Sequence, residues 1–230
     1  MILKASRGTN LCQNGPNSLN ITIVATSTNS NDIYANMLGI VGEVITSIPQ
    51  LGIKLKQGWA IQVPPNTPYM IMNTSNSEVD VTFSEDHNQH LILWNPYLLE
   101  KESHVDFNPD EFKKAHPVPD GYIDTLPKWY SVKFTYPNFN YIFVRPGLGI
   151  SVQIHAQREE HWEILDGSPI IIANNKVAYD VKPKTKFDIP IGAMHTIINP
   201  TKDWVLLKET YSGTFDEKDI IRTFNPNNFK

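Results

Sequence analysis

Short apolar runs, separated by glycine, proline and asparagine, recur along the whole chain. Within many of them apolar and polar residues alternate, which is the period of a β-strand with one buried face. Strands are predicted at residues 21–26, 39–48, 53–55, 69–72, 79–83, 91–94, 129–134, 141–144, 150–155, 162–165, 169–173, 186–189, 195–198 and 204–211. The pattern therefore predicts an all-β protein.

Only two segments carry helix signals. Residues 108–114 are Asn-Pro-Asp-Glu-Phe-Lys-Lys, in which an N-cap residue precedes proline and two acidic residues. Residues 214–217 are Thr-Phe-Asp-Glu, a capping-box pattern that leads into residues 218–221. We expect one or two short helices beside the strands.

Two blocks in the second half of the chain space polar residues at fixed intervals. They are Gly147-x5-Gln153-x-His155-x4-Glu160-x6-Gly167 and Pro190-x-Gly192-x2-His195-x3-Asn199. Alternate side chains of a strand share a face, so Gln153 and His155 point the same way. Glu160 follows a reversal of the chain, and the turn at 190–192 begins a further strand that carries His195. The spacing predicts that four polar side chains converge on one point.

These blocks resemble the paired signature of the cupin superfamily, G-x5-H-x-H-x3,4-E-x6-G followed by G-x5-P-x-G-x2-H-x3-N. The chain departs from it at Gln153, which replaces a histidine, and at Lys184, which replaces a glycine. The resemblance implies a jelly-roll-like barrel, the double-stranded β-helix, with a metal ion inside. The implied ligands are Gln153, His155, Glu160 and His195, which suit one divalent ion of zinc, manganese, iron or nickel better than calcium. The alternative for Gln153 is a hydrogen bond to a neighbouring side chain.

The second block has a degenerate copy in the first half of the chain. Gly58-x5-Pro64-x-Asn66-x2-Tyr69-x3-Asn73 repeats its spacing, with tyrosine at the position of the metal-binding histidine. Pro64 and Pro190 are 126 residues apart, and Gly42 and Gly167 are 125 apart. Two whole domains are therefore predicted to run in the same register.

The chain thus resembles a bicupin, with two cupin barrels in tandem. We predict a degenerate, metal-free domain over residues 1–115 and a metal-binding domain over residues 116–230. Counting back from Gly42 puts Ala35 at the position of the ligand carboxylate, and no histidine precedes His87. The first barrel should therefore lack a metal site.

The second half resembles type II mannose-6-phosphate isomerases over about residues 125–225. Residues 151–162, Ser-Val-Gln-Ile-His-Ala-Gln-Arg-Glu-Glu-His-Trp, are similar to that family's S-L-Q-x-H-x-H-R-x-E-H-W, in which glutamine is the usual residue at the first ligand position. Residues 127–132, 209–213 and 219–222 are similar to further segments of the family. The chain departs from the family at Gln157, at Tyr211 and at a glycine missing after Trp129.

The resemblance implies aldose–ketose isomerisation of a phosphorylated sugar through an enediol. In this reaction a metal polarises two substrate oxygens while a side-chain base moves a proton. We expect Glu209 to be that acid and base, with a surface carboxylate beside Lys208 as the alternative. Arg158 and Arg222 occupy family positions and are expected to bind the phosphate, for which arginine is well suited.

Composition and charge limit the classes of binding partner that the sequence fits. The formal charge is −4 and the basic residues are dispersed, which argues against a nucleic-acid partner and favours a small-molecule substrate, expected to be a phosphorylated sugar. The single Cys12 forms no intrachain disulfide, and no targeting segment or membrane-spanning run is evident, so a cytoplasmic protein is expected. The sequence is also compatible with a homodimer.

Two other functions use the same residues. One is a cupin dioxygenase that uses Fe(II), which would consume oxygen with an organic substrate. The other is a non-catalytic sugar-binding bicupin, which would bind a ligand without turnover.

Overall fold

The computed structural model describes residues 1–25, 37–48, 58–214 and 219–228. Strands dominate the described residues, and a single α-helix accompanies them, so the prediction of an all-β protein is confirmed. The chain divides into two compact units, Met1–Pro96 and Tyr97–Lys230. No helix among the described residues is long and apolar enough to cross a membrane.

In its described residues the first unit contains nine strands and a 3-10 turn at His87–Gln89. The strands are β1 (Ile2–Leu3), β2 (Leu11–Gln13), β3 (Leu19–Ala25), β4 (Met37–Val41), β5 (Val44–Ile48), β6 (Trp59–Val63), β7 (Pro68–Asn73), β8 (Val79–Phe83) and β9 (Leu91–Trp94). One sheet has the order β1-β8-β3-β6, and β5-β4-β7-β2-β9 form a second hydrogen-bonded series. Leu19, Ile21 and Ile23 alternate along β3 and are fully buried between the two layers.

The second unit begins with α1 (Pro109–Ala115), where the predicted N-cap Asn108 accepts hydrogen bonds from the backbone of Asp110 and Glu111. Its strands are β10 (Asp124–Lys128), β11 (Ser131–Thr135), β12 (Asn140–Val144), β13 (Val152–His155), β14 (Arg158–Asp166), β15 (Ile170–Ala173), β16 (Lys176–Ala178), β17 (Lys186–Ile189), β18 (His195–Ile198), β19 (Val205–Gly213) and β20 (Ile220–Phe224). One sheet has the order β10-β11-β12-β19-β14-β17, and β20-β13-β18-β15-β16 form the facing series.

The second predicted helix is wrong at its C-terminal end, although Asp219 still has 3-10 helical backbone. Residues 215–218 lie outside the described residues, as does the predicted strand at 53–55, but Ile220 and Ile221 belong to β20. They pair antiparallel with His155 and Ile154 of β13. The hydrogen bonds of this sheet place Ile220 and Ile221 in a strand, where the sequence predicted helix.

The two units repeat one scheme of strand pairing. Cys12 of β2 lies opposite Tyr69 of β7, just as Gln153 of β13 lies opposite His195 of β18. A buried asparagine performs the same task in each unit. Asn73 donates to the carbonyls of Leu3 and Ser77, and Asn199 donates to those of Val144 and Asp203.

The strand register corrects the equivalence of Gly42 and Gly167 that placed the ligand carboxylate of the first unit at Ala35. Val41 pairs with Tyr69 as Ala173 pairs with His195, so Gly42 corresponds to Asn174 rather than to Gly167. Both Gly42 and Asn174 have a positive φ of 61°, as the tight turn requires. Ala35 itself lies outside the described residues.

Leu19 occupies the position of Glu160. It pairs with Val63, the residue before Pro64, as Glu160 pairs with Ile189, the residue before Pro190. An apolar side chain therefore takes the place of the carboxylate in the first unit.

Candidate active site

Three buried ligand-type side chains meet inside the second unit. His155 ends β13, Glu160 lies on β14 and His195 begins β18, and each is at most 2% exposed. Their ligand atoms all lie within 4.8 Å of one another, the one such group of three found in the described part of the chain. His155 Nε2 is 3.1 Å from Glu160 Oε1, and His195 Nε2 is 3.5 Å from Glu160 Oε2.

Two neighbours on β14 hold the carboxylate of Glu160. Arg158, Glu160 and Trp162 alternate on the inner face of this strand. Arg158 Nε donates to Oε1 at 2.9 Å, and Trp162 Nε1 donates to Oε2 at 3.1 Å. Burial alone would raise the pKa of Glu160, but hydrogen bonds with His155 and Arg158 and the electrostatic interaction with His195 outweigh it and lower the pKa to about 2. Glu160 is therefore a fixed carboxylate.

The histidines present lone pairs that the protein does not satisfy. His195 Nδ1 lies 3.0 Å from the carbonyl of Ala193, so it carries the proton and donates it, leaving Nε2 as an unprotonated atom without a hydrogen-bond partner. Burial lowers the pKa of His195, which keeps its ring neutral, as metal ligation requires.

His155 is held in a conflict of hydrogen bonds. Its Nε2 lies 3.1 Å from a Glu160 oxygen and 2.9 Å from Arg158 Nη2, yet one ring nitrogen cannot donate to a carboxylate and accept from a guanidinium at once. Its Nδ1 is buried without a partner. A cation bound to the ligand atoms of His155, Glu160 and His195 would remove this conflict. These three residues therefore fit a divalent metal ion.

Gln153 lies beside this cluster but is not tied to it. It pairs with His195 in the strand register and is half-buried in the wall of the cavity described below. Its Oε1 accepts a hydrogen bond of 3.3 Å from Ser151 Oγ. Its assignment as a fourth ligand stays a prediction.

A cavity of about 120 Å³ opens over Glu160. Gln153, Arg158, Glu209 and Arg222, all singled out from the sequence, line its wall. Arg222 is exposed on β20, opposite Gln153. By contrast, Arg145 lies outside the lining and pairs with Glu102 at 3.2 Å.

Sequence reasoning missed further lining residues, namely Lys128, Tyr130, Ser131 and Lys133. Lys128 pairs with Ser131 where β10 turns into β11. The alternation of Ser131 and Lys133 along a predicted strand was the available signal, because it places both side chains on one face. The two lysines add positive charge to a wall that already holds Arg158 and Arg222.

Glu209 is a buried carboxyl rather than a surface carboxylate, because it is only 6% exposed. It pairs with Trp162 across β14 and β19, and Asn140 Nδ2 donates to its Oε1 at 2.7 Å. Burial, reinforced by the negative charge of Glu160, raises the pKa of Glu209 to about 8. Near neutral pH both its protonated and its ionised form are within reach.

Residues 129–225 match the protein family described as "Mannose-6-phosphate isomerase C-terminal". The match lies wholly in the second unit and confirms that this region resembles the mannose-6-phosphate isomerases. The chain is also similar to a mannose-1-phosphate guanylyltransferase of Klebsiella pneumoniae, 41% identical over 86 residues, which are 37% of this chain and 18% of the relative. The xanthan biosynthesis protein XanB of Xanthomonas campestris is 34% identical over 35% of this chain and 17% of its own length. The chain thus spans less than a fifth of these relatives.

Two solved structures match this chain with low overall similarity. The oxalate decarboxylase of Lactobacillus farciminis covers 96% of this chain and 77% of its own, with 14% identity and a TM-score of 0.38. A sugar phosphate isomerase of the cupin superfamily from Silicibacter pomeroyi covers 37% of this chain and 60% of its own, with 16% identity and a TM-score of 0.33.

The cluster of His155, Glu160 and His195 predicts about one bound divalent ion per chain. We expect the double variant His155→Ala/His195→Ala to lose this ion, as measured by elemental analysis after dialysis against each candidate metal. His161→Ala is the matched control, because that histidine is 43% exposed and pairs with Asp188 on the outer face. Equal metal content in the folded double variant and the wild type would contradict the prediction.

The raised pKa of Glu209 predicts a pH dependence of stability. Because the pKa is higher in the folded protein, the contribution of Glu209 is complete below the ordinary value of 4.5 and is lost as the pH rises to about 8. In chelator-treated protein, the thermal unfolding midpoint of the wild type should fall between about pH 5 and 8 relative to that of Glu209→Gln. The exposed Glu159→Gln should follow the wild type, whereas parallel curves for wild type and Glu209→Gln would argue against the assignment.

Proposed function

We propose that the second unit is a metal-dependent sugar-phosphate isomerase of the mannose-6-phosphate isomerase type, which interconverts an aldose and a ketose. The observation that carries the proposal is the position of Glu209. A buried carboxyl with a pKa near neutrality lies in the same cavity wall as Glu160 and several cationic side chains. An isomerase that moves a proton between adjacent carbons needs such a group beside its substrate.

Glu209 is the proposed acid and base. In its ionised form it accepts the proton from one substrate carbon, and in its protonated form it returns a proton to the neighbouring carbon, so no net proton is consumed. The hydrogen bond from Asn140 fixes the orientation of the carboxyl group. His161 and Glu163 lie on the opposite face of β14 and are partly exposed, which removes them as bases for this cavity.

The metal would be held by His155, Glu160 and His195, with Gln153 as the proposed fourth ligand. When bound, it would supply Lewis-acid polarisation of the substrate oxygens next to the carbon that loses its proton. Arg158 contributes differently, since its guanidinium is buried against Glu160 and His155. We infer that it positions the ligands and completes the positive wall of the cavity.

Arg222, Lys128 and Lys133 are the proposed phosphate-binding groups. All three line the cavity, and Arg222 is exposed and therefore accessible to a ligand. A phosphate carries close to two negative charges near neutral pH, for which fixed cations are the suitable partners.

One departure from the family leaves the cavity unchanged. Gln157 replaces a histidine of the family pattern, but it is exposed and outside the lining residues that the structure describes. Its backbone N–H donates to Asp219 Oδ2 at 2.9 Å, which ties the β13–β14 turn to the start of β20. The turn that places Glu160 is thus held without the family histidine.

The direct test is turnover of mannose 6-phosphate or glucose 6-phosphate to fructose 6-phosphate by the full chain loaded with Zn²⁺, Mn²⁺, Fe²⁺ or Ni²⁺. Formation of the ketose by at least one loaded form supports the proposal. Binding without turnover would favour the non-catalytic sugar-binding function, and oxygen consumption with Fe²⁺ would favour the dioxygenase.

Glu209→Gln keeps the shape and hydrogen-bonding capacity of the side chain but removes its proton transfer. We expect kcat to fall by about 10²- to 10⁴-fold with little change in KM, measured as ketose formation at saturating substrate. Glu159→Gln, on the outer face of β14, should retain the wild-type kcat. An active Glu209→Gln enzyme would move the acid and base role to another residue.

Arg222→Met removes a proposed phosphate contact. KM for the phosphorylated sugar should rise by about tenfold or more, while kcat changes little, because the contact is made in both the ground and transition states. Arg145→Met is the matched control, since this arginine pairs with Glu102 outside the cavity. Equal KM values for the two variants would count against Arg222 as a phosphate ligand.

A further inference from the structure

The first unit contains a cavity of about 240 Å³ at the place that the candidate active site occupies in the second unit. The strand registers establish the equivalence. Cys12 pairs with Tyr69 and with Ile92, just as Gln153 pairs with His195 and with Arg222. Of these residues, Cys12, Tyr69 and Ile92 line the cavity of the first unit.

The position of the proposed acid and base is also identifiable. Phe83 pairs with Ile21 of β3 as Glu209 pairs with Trp162 of β14. Phe83 therefore takes the place of Glu209, and it too lines the cavity.

Four ionisable groups of the second site have counterparts without a formal charge in the first unit. Leu19 replaces Glu160, Phe83 replaces Glu209, Ile92 replaces Arg222 and Tyr69 replaces His195. Among the lining residues that the structure describes, no aspartate, glutamate, lysine or arginine occurs. The amino group of Met1, a further lining residue, is paired with Asp80 at 3.0 Å and donates to the carbonyl of Val81 at 2.7 Å, so the wall presents no unbalanced charge and suits an uncharged ligand.

A partly buried series of hydrogen bonds gives the cavity one directed polar group. Tyr69 Oη lies 2.7 Å from His90 Nδ1, and His90 Nε2 lies 3.2 Å from Glu85 Oε1. The carboxylate accepts the Nε2 proton, which leaves Nδ1 to accept the hydroxyl proton of Tyr69. The oxygen of Tyr69 is then left as an acceptor for a donor group of a ligand. Burial raises the pKa of this hydroxyl and raises that of the Cys12 thiol to about 11, so both groups stay neutral.

Aromatic and amide side chains form a further part of the wall. Phe83 and His87 stack with ring centroids 4.4 Å apart, and Phe83 lies 6.1 Å from Tyr69. Asn10 and Asn88 also line the cavity. An aromatic surface packs against the C–H face of a sugar ring, and amides bind its hydroxyls. The volume is below the roughly 300–1,000 Å³ of pockets for drug-sized ligands, which limits the ligand to a single ring.

We propose that the first unit is a binding site for an uncharged, hydroxylated ring of monosaccharide size, with Tyr69 accepting a hydrogen bond from a ligand hydroxyl and the Phe83 wall packing against the ring. This site is independent of the function proposed for the second unit. It makes the chain a protein with two sites of opposite preference, one for a charged sugar and one for a neutral sugar.

The test is ligand-observed NMR and calorimetric titration of the full chain with the methyl α-glycosides of mannose, glucose and galactose, and with myo-inositol. These probes have no phosphate and no free aldehyde or ketone, so they cannot be isomerised. We expect at least one probe to bind, and the folded variant His195→Ala to bind it equally well. Loss of turnover without loss of this binding separates the two sites.

Variants locate the binding. Ile92→Arg introduces a guanidinium at the cavity mouth and should weaken the bound probe by about tenfold or more, because the residue is already 54% exposed and tolerates a long side chain. Leu91→Arg is the matched control, because Leu91 is next to Ile92, is 63% exposed and points to the other face of β9. This variant should bind the probe with unchanged affinity. Tyr69→Phe should weaken binding by about 2- to 10-fold.

Two outcomes would overturn the inference. One is that none of the four probes binds the wild type. The other is that a bound probe is unaffected by Ile92→Arg or is lost in His195→Ala, which would place it outside the first unit.

Discussion

The ionised carboxylate of Glu160 is the constraint on which the second unit depends. A buried carboxylate costs several kcal/mol unless hydrogen bonds and opposite charge offset the loss of water. Arg158 and Trp162 supply that compensation from the same strand, because side chains two positions apart share a face. The carboxylate and these two hydrogen-bond donors therefore lie on one strand, β14. The imidazoles of His155 and His195 complete the surroundings of the carboxylate.

The same charge sets the chemistry of the cavity. Burial is the main cause of the raised pKa of Glu209, and the negative charge of Glu160 adds to it. The Glu160 carboxylate also lies 3.5 Å from His195 Nε2, a nitrogen with an unused lone pair. One group thus serves two purposes, since it attracts a cation on one side and tunes a proton carrier on the other. Positive side chains around the wall balance the cluster and leave the cavity suited to an anionic substrate.

The sequence was informative where spacing within one strand or between adjacent turns determines the outcome. His155, Glu160 and His195 meet as the fixed intervals predicted, and Asn108 caps the predicted helix. Long-range pairing was beyond reach. Lys128 and Lys133 enter the cavity only because β10 and β11 fold over it. The register of β4 makes Gly42 equivalent to Asn174 instead of Gly167. The pairing of β20 with β13 makes Ile220 and Ile221 part of a strand, where a helix was predicted.

Each unit also keeps one buried asparagine, Asn73 or Asn199, whose amide group holds together a loop and a strand through main-chain oxygens. These bonds do not involve any side chain of the barrel interior, so the brace is insensitive to what that interior contains. After duplication, one copy could exchange its interior residues freely while its architecture persisted. The first unit is accordingly a scaffold in which new ligand-binding side chains could be engineered without redesigning the backbone.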